Sequence, residues 1–351
     1  MSLKRRKFIG NLITYGMVVA AFLVCQYLLQ TGGMTRSLRG QLVPICVWVV
    51  MAVSLNLVVG VSGELSLGHA GFMSVGAFSG IVASGWMLGA FQLENETVRL
   101  LLSMLVGGVF AGVAGVLIGI PVLRLRGDYL AIVTLAFGEI IRNVINCLYI
   151  SLDGRRLRFA FNDSAIPGTL LVSGPKGGVG IDTIATFGMG FALILFTLFV
   201  TLNLINSRSG RAIMATRDSR IAAESVGINI TKYKMLAFVT SAVLAGMAGA
   251  LYGLNFSTVA ASKFKFDTSI LVLVFVVLGG IGSIRGSVIA ATLLTILPEM
   301  LRAFSDYRML VYAVVLIVVM LATNSPFLSA RLMRVMALLR RRGGKKEGEA
   351  A

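Results

Sequence analysis

The sequence RSGRAIMATRDSRIAAESVG, residues 208–227, is a charged stretch between two apolar runs, Ile184–Ile205 and Met235–Phe256, that are each long enough to cross a bilayer. The rest of the chain contains further apolar runs on both sides of this stretch: Ile9–Leu29, Leu42–Val59, Phe72–Phe91, Leu100–Leu123, Tyr129–Ile150, Ile270–Ile281, Val288–Leu301 and Leu310–Ala322. Hydrophobic residues make up 57% of the chain and charged residues 13%, about half the charged fraction of a soluble domain. We predict an all-α polytopic membrane protein with about ten transmembrane helices, eight or nine being possible.

The distribution of charge predicts the orientation of the chain. If the N-terminus is cytoplasmic, the segments on that side hold 20 basic and six acidic residues, whereas the outer segments hold 11 basic and eight acidic residues. This asymmetry follows the positive-inside rule, although a basic cluster at 155–158 runs against it. We therefore expect a basic cytoplasmic N-terminus at 1–8, a transmembrane domain at 9–325 with a cytoplasmic loop at 206–233, and a basic cytoplasmic tail at 326–351. The net charge of +17 then reflects topology rather than nucleic-acid binding.

The charged stretch at 208–227 predicts a helix of its own. From Arg217 to Glu224 the residues form a short amphipathic pattern, in which Arg220 and Glu224 have the i,i+4 spacing of an ion pair. Gly227 can close this helix in a left-handed conformation. Such a helix is either a docking surface or a solvated loop, and the pattern alone favours neither.

Motifs for catalysis and metal binding are missing from the sequence. His69 is its one histidine, and no His/Cys/Asp/Glu cluster has the spacing of metal ligands. The glycine-rich stretch at 174–180 lacks the order of a phosphate-binding loop. We interpret it as an ordered turn in an outer connection, about 151–182, that could also contact a partner. The chain is not expected to be an enzyme, and we predict no catalytic residue, no metal and no cofactor.

Glycine follows two distinct patterns. Pairs spaced four residues apart predict close packing of helix backbones: Gly76/Gly80, Gly85/Gly89, Gly108/Gly112, Gly115/Gly119 and Gly249/Gly253. Two denser clusters, Gly60–His69 and Gly279–Gly286, instead interrupt apolar sequence. Irregular backbone at membrane depth is tolerated where protein buries it or water lines it, so these breaks are candidates for a translocation path or its inner gate. The residues concerned are Gly63, Ser66, Gly68, His69, Gly280 and Gly282.

Few ionisable groups fall within the apolar runs. Glu139 and Arg142 lie three residues apart on one predicted helix, where mutual pairing would lower the cost of either charge in the membrane. A structural pair is favoured over a pathway role. His69, beside a glycine turn, is likewise interpreted first as a hydrogen-bonded structural residue rather than a proton carrier.

Four blocks of sequence together resemble the M-type permease subunit of branched-chain amino acid ABC importers. The blocks are SLNLVVG at 54–60 with GELSLGHAGF at 63–72, GDYLAIVTLAFGEI at 127–140, SGRA at 209–212 with IAAESVGI at 221–228, and GGIGS at 279–283 followed by Gly286. They occur in order over about residues 45–300. Any one of them would be weak, but the ordered set is specific.

The resemblance implies a type II-like importer fold within a larger assembly in the bacterial inner (plasma) membrane. The implied partners are a homologous second permease subunit, two cytoplasmic ABC ATPases that hydrolyse the ATP, and an extracytoplasmic solute-binding protein. The charged loop becomes the coupling helix, with ATPase-coupling residues Gly210, Arg211, Ala212, Arg217, Asp218, Ile221, Ala222, Ala223, Glu224 and Gly227. To the candidate path or gate the second block adds Tyr129, Thr134 and Glu139.

The transported solute stays open in this comparison, because related permeases serve urea and sugar importers and specificity rests mostly in the binding protein. Leucine, isoleucine and valine are the expected solutes, since a path with few fixed charges suits a net-neutral amino acid. The alternative is a stand-alone secondary transporter or channel. Such a protein would normally need intramembrane carboxylates for ion coupling, and only Glu139 is available, beside Arg142. A purely structural scaffold would not explain two glycine-broken spans.

Overall fold

The computed structural model describes residues 3–33, 35–125, 127–161, 167–301 and 307–324. The helices are α1 (Leu3–Gln30), α2 (Arg36–Asn56), α3 (His69–Phe91), α4 (Glu96–Val122), α5 (Asp128–Cys147), α6 (Phe187–Asn206), α7 (Arg208–Asp218), α8 (Arg220–Ser225), α9 (Ile230–Gly253), α10 (Phe266–Gly279), α11 (Ile284–Met300) and α12 (Arg308–Asn324). The strands are β1 (Leu148–Asp153), β2 (Arg156–Phe161), β3 (Thr169–Ser173), β4 (Gly178–Val179) and β5 (Thr258–Val259). A π-helix, Leu57–Ser62, continues α2, and short 3-10 turns occupy Gly174–Lys176 and Ala261–Phe264. The predicted tail at 326–351 lies outside the described residues.

Seven of the described helices are long and apolar enough to cross a membrane: α1, α2 with its π-helix, α3, α4, α5, α6 and α9. The chain is therefore a polytopic helical membrane protein, as predicted, but the count of about ten crossings is not confirmed. Helix α10 is apolar but has only 14 residues, about 21 Å, whereas a hydrocarbon core is about 30 Å thick. The turn at Gly279–Gly280 ends it early, in line with the broken element expected there.

The all-α prediction omitted a five-stranded sheet with the order β2-β1-β3-β4-β5. Strands β1 and β2 form an antiparallel hairpin that runs from the pair Leu148 and Phe161 to the pair Asp153 and Arg156. Gly154, in the connecting turn, has a positive φ of 60°. The glycine-rich stretch at 174–180, predicted as an ordered turn, contains the 3-10 turn Gly174–Lys176 and strand β4, whereas the other strands of this connection were not predicted. Strand β5 joins the sheet from beyond α9.

Helices α3, α4 and α9 pack most closely, through glycine. A Cβ on Gly246 of α9 would meet the backbone of Gly107 in α4, and one on Gly76 of α3 would meet the backbone of Gly246. The prediction of close helix packing at small residues is confirmed there. At Gly85 and Gly89 it is wrong, because those glycines lie against leucine side chains of the sheet.

Helix α2 is the most enclosed span and α1 the least. In the most apolar window of each span, 89% of the residues of Arg36–Ser62 are buried, against 11% for Asn11–Gln30. The chain divides into two compact units, Met1–Ile296 and Leu297–Ala351. The buried end of α2 belongs to the first unit and organises the candidate site.

Candidate functional site

The π-helix at Leu57–Ser62 is the centre of the candidate site. All six of its residues are buried, and it ends at Gly63, whose φ of 74° is left-handed. The N–H of Glu64 then donates to the carbonyl of Val58, at 3.1 Å. π-Helical turns are rare and occur frequently at functional sites. The first glycine break is thus shorter than predicted, because residues 60–62 continue the helix and only 63–68 are irregular.

Asn56 connects the two glycine breaks. Its side chain is fully buried; the Oδ1 atom accepts a hydrogen bond from the N–H of Gly282 at 2.8 Å, and the Nδ2 atom donates to the Ser287 hydroxyl at 2.7 Å. Gly60 lies so close to Gly282 that a Cβ on it would meet that residue's backbone. Two segments predicted separately therefore form one junction. Sequence reasoning missed Asn56, although a lone carboxamide in an apolar run was an available signal.

The irregular segment 63–68 is anchored on both sides. Glu64 forms an ion pair with Lys234 of α9, and both side chains are largely buried. The N–H of Leu67 donates to the Thr134 hydroxyl of α5 at 3.1 Å, and Gly68 lies against the Thr134 backbone. Two predicted path residues, Gly68 and Thr134, are thus brought together, whereas Lys234 was missed.

Two buried serine hydroxyls lie at this segment, one just before it and one within it. Ser62 and Ser66 are 2% and 1% exposed, and neither hydroxyl has a hydrogen-bond partner among the described residues. Buried hydroxyls are usually hydrogen-bonded, so these two are available to a further polar partner.

The imidazole of His69 is hydrogen-bonded to a side chain of α2. Its Nε2 atom lies 2.9 Å from the Ser54 hydroxyl, and that hydroxyl donates to the Met51 carbonyl at 3.0 Å. Because a serine hydroxyl has one proton, its oxygen accepts from Nε2–H of the imidazole. The ring is 2% exposed. This arrangement agrees with the structural interpretation of His69.

Helix α7 packs directly on the π-helix. The Ser207 hydroxyl caps it by accepting from the N–H of Gly210 at 3.0 Å. Ile213 is fully buried against Leu57, Val61 and an alanine of α9. The charged loop is therefore part of the folded bundle rather than a free connection.

Arg217 forms a second attachment. Its Nη1 atom donates to the Gly60 carbonyl at 2.8 Å, and its aliphatic stem covers Gly63. The Nη2 atom pairs with the Asp218 carboxylate at 2.8 Å. Because Gly60 also faces the second glycine break, Arg217 connects the charged loop to both breaks.

The single helix predicted from Arg217 to Glu224 is wrong. The structure has two helices, α7 and α8, divided at Ser219, which is extended at φ −155° and ψ 109°. The Ser219 hydroxyl accepts from the N–H of Ala222 at 3.3 Å, so it caps the second helix. The ion pair between Arg220 and Glu224 is confirmed at 3.7 Å, and so is the left-handed conformation of Gly227, at φ 79°.

Helix α8 presents an apolar surface. Ile221 is 82% exposed and Val226 is 73% exposed, which is unusual for large aliphatic side chains. Ala222 is exposed as well, but Ala223 is 3% exposed and faces the protein. Of the predicted coupling residues on α8, Ala223 therefore does not belong to the exposed surface.

Three predicted path residues remain: Glu139 and Tyr129 on α5, and Gly280 in the α10–α11 turn. The Arg142 Nε atom donates to Glu139 at 2.8 Å, so the predicted pair is confirmed. The second Glu139 oxygen accepts from the N–H of Phe266 at 3.3 Å, at the start of α10. Tyr129, at the start of α5, is 72% exposed. Gly280, with φ 92°, belongs to the α10–α11 turn beside Gly282.

Comparison with known proteins gives one family match over most of the chain. The family described as branched-chain amino acid transport system / permease component matches residues 38–320. The high-affinity branched-chain amino acid transport system permease proteins LivM of Salmonella typhimurium and Escherichia coli K12 are each 35% identical over 297 residues. These alignments cover 78% of this chain and 66% of each relative, so the chain spans about two thirds of their length.

More distant relatives belong to other permeases. The ribose import permease protein RbsC of Haemophilus influenzae is 26% identical over 294 residues, which cover 78% of this chain and 81% of that protein. The permease protein LivH of Escherichia coli K12 is 33% identical over 132 residues, 37% of this chain and 41% of that protein. No solved structure matches the chain.

Proposed function

Because the chain belongs to the family of permease components of branched-chain amino acid transport systems, we propose that it forms the translocation path of an ATP-driven importer for leucine, isoleucine and valine. The observation that carries this proposal is the 35% identity to LivM over 78% of the chain. The family consists of transport components rather than enzymes, in agreement with the expectation from the sequence.

The proposed assembly contains a second permease subunit, two cytoplasmic ABC ATPases and an extracytoplasmic solute-binding protein, in a type II-like arrangement in the bacterial plasma membrane. Similarity to LivH as well as LivM supports a pair of related permease subunits. In the proposed orientation both termini are cytoplasmic, and α7 and α8 face the ATPases.

The solute is inferred from charge as well as from relatedness. Glu139 and Arg142 of α5 neutralise each other, and Glu64 of the segment 63–68 pairs with Lys234 of α9. A path without uncompensated charge suits a zwitterionic amino acid with an aliphatic side chain. Ribose import is the second candidate, since RbsC is also related, but at 26% identity.

We further propose that α7 and α8 transmit ATPase movement to the breaks in the spans. The exposed pair Ile221 and Val226 would seat in an ATPase groove, with Arg220 and Glu224 at its rim. Movement of α7 would then reach the π-helix through Ile213 and Arg217. The hydrogen bond between Asn56 and Gly282 would then transmit this movement to the α10–α11 turn.

In the same proposal, the segment 63–68 and the turn at 280–282 form the inner gate. The unsatisfied hydroxyls of Ser62 and Ser66 would gain partners when the segment rearranges. The catalytic step, ATP hydrolysis, belongs to the partner ATPases.

The test is uptake into proteoliposomes that contain the complete complex of two permeases, ATPases and binding protein. We expect ATP-dependent accumulation of labelled leucine to exceed that of ribose or urea. A complex that lacks this chain is the control and should show none. Preference for ribose or urea would contradict the solute while leaving the importer class intact. Uptake without ATP would contradict the class itself.

A further inference from the structure

An apolar cavity of about 290 Å³ lies between α1, α2, α6 and α11. Phe22 of α1 lies in its wall and stacks on Phe191 of α6 with ring centroids 4.0 Å apart. Thr292 brings a hydroxyl to the lining, but that hydroxyl donates to the Val288 carbonyl at 2.8 Å. A cavity with such walls offers water no partner and favours an apolar ligand.

This cavity lies among membrane-spanning helices, so the hydrocarbon core of the bilayer surrounds it. Three of its four walls are helices long and apolar enough to cross a membrane, and α1 is the least buried of these spans. Because α1 covers the cavity from the edge of the bundle, an acyl chain of a membrane lipid is the apolar ligand nearest to it.

Two cations lie at one end of the cavity. Arg36 and Arg39 occupy the first turn of α2, and both are exposed. Leu38 and Leu42 of the same helix line the cavity, and Arg39 lies one turn before Leu42, on the same face. Within the part of the chain that the structure describes, neither guanidinium forms a hydrogen bond or an ion pair.

We propose that this is a binding site for one anionic phospholipid, with an acyl chain in the cavity and the phosphate headgroup at Arg36 and Arg39. The geometry matches an amphiphile, since an apolar slot ends at two unpaired cations. The N-terminus of α2 adds a partial positive charge at the same place. A zwitterionic lipid carries its own cation and gains less from the two arginines.

The headgroup is tested with the delipidated full-length chain in detergent, by native mass spectrometry during titration with dioleoylphosphatidylglycerol or dioleoylphosphatidylcholine. We expect phosphatidylglycerol to be retained about tenfold better. The double variant Arg36→Gln/Arg39→Gln should reduce this preference to near unity. The matched control Arg155→Gln/Arg156→Gln, which removes two exposed arginines from the β1–β2 hairpin, should leave it unchanged.

The acyl chain is tested by filling the cavity. Ala21 lines it, whereas the neighbouring Ala20 does not, and both are exposed. Ala21→Phe should lower retention of both lipids severalfold, and Ala20→Phe should not. Equal retention of the two lipids by the unmodified chain, or no effect of Ala21→Phe, would overturn the proposal. So would full displacement of phosphatidylglycerol by inorganic phosphate, or by assembly with a second permease subunit.

Discussion

At Asn56, one carboxamide holds together segments that lie 226 residues apart in the chain. Its fully buried side chain bonds the N–H of Gly282 and the Ser287 hydroxyl at once. A leucine of similar size would fill the space but remove both hydrogen bonds, each of which contributes about 1 kcal/mol. Asn56→Leu should therefore lower the thermal stability of the purified protein. The control Ser74→Ala should have a smaller effect, because the Ser74 hydroxyl donates within its own helix, to the Gly71 carbonyl, rather than between distant segments.

Arg217 is the residue through which the charged loop holds the π-helix. Its guanidinium donates to the Gly60 carbonyl, and a charge-assisted hydrogen bond of this kind contributes about 1.5 kcal/mol. Arg217→Gln should insert and assemble normally but lose roughly tenfold in the rate of leucine-stimulated ATP hydrolysis by the complex. Arg208→Gln, at an exposed position of the same helix, is the matched control. Equal rates for the two variants would show that the contact with Gly60 carries no signal.

At the scale of the element, α8 exposes large aliphatic side chains that a solvent-facing loop normally buries. Ile221 is almost fully exposed, and burying such a side chain contributes about 2 kcal/mol. Ile221→Asp should therefore weaken association of the ATPase roughly thirtyfold, as measured by co-purification at graded ATPase concentration. Phe161→Asp, at an exposed aromatic residue of the sheet, should leave association unchanged. Normal ATPase binding by Ile221→Asp would remove α8 from the coupling surface.

Ala223 behaves differently from its neighbours on α8. It is buried, and its carbonyl accepts from the N–H of Ile228 as the chain leaves the helix. A charged side chain there would have to leave the interior, so Ala223→Glu should disorder α8 itself rather than remove one contact. We expect faster proteolysis of the loop at 219–229 in this variant, whereas Ala222→Glu, at an exposed position, should remain as resistant as the unmodified chain.

The elements also show which parts of the site were predictable. The i,i+4 pair of Arg220 and Glu224 and the left-handed Gly227 depend on local sequence, and both were predicted. The division at Ser219 was not, because serine is tolerated inside a helix and also favoured as a cap. Packing of Ile213 on the π-helix fixes where α7 lies, and that contact has no local signature. The meeting of Gly60 with Gly282 was unpredictable for the same reason.

For the whole molecule, composition was sufficient to predict a polytopic helical membrane protein, and four ordered blocks predicted the family correctly. The sheet was missed because its strands have two to six residues, too few for a clear alternation of polar and apolar side chains. Seven of the described helices are long and apolar enough to cross, so the predicted count of about ten is not confirmed. In α10 the glycine turn stops the helix at 14 residues.

The sheet also fixes which segments share a side of the membrane. Strand β4 precedes α6 and β5 follows α9, yet the two strands pair, so both lie at the same end of the bundle. Helices α6 and α9 are each long enough to cross, and α7 and α8 lie between them in the chain. If both helices cross, the charged loop lies on the side opposite the sheet, whichever way the protein is inserted.

The orientation proposed above places the loop in the cytoplasm, as the positive-inside rule favours. In a cysteine-free background, single cysteines at Asn95 and Thr169 should react with an impermeant maleimide in intact cells. A cysteine at Ser219 should react only after permeabilisation, and so should one at Gly344, which lies outside the described residues. Asn95, Thr169 and Ser219 are all exposed, so accessibility to the reagent depends on the side of the membrane rather than on burial.

Labelling of Ser219 but not Thr169 in intact cells would show the opposite orientation, in which no cytoplasmic ATPase could reach α8. Labelling of Ser219 and Thr169 from the same side would mean that α6 or α9 does not cross.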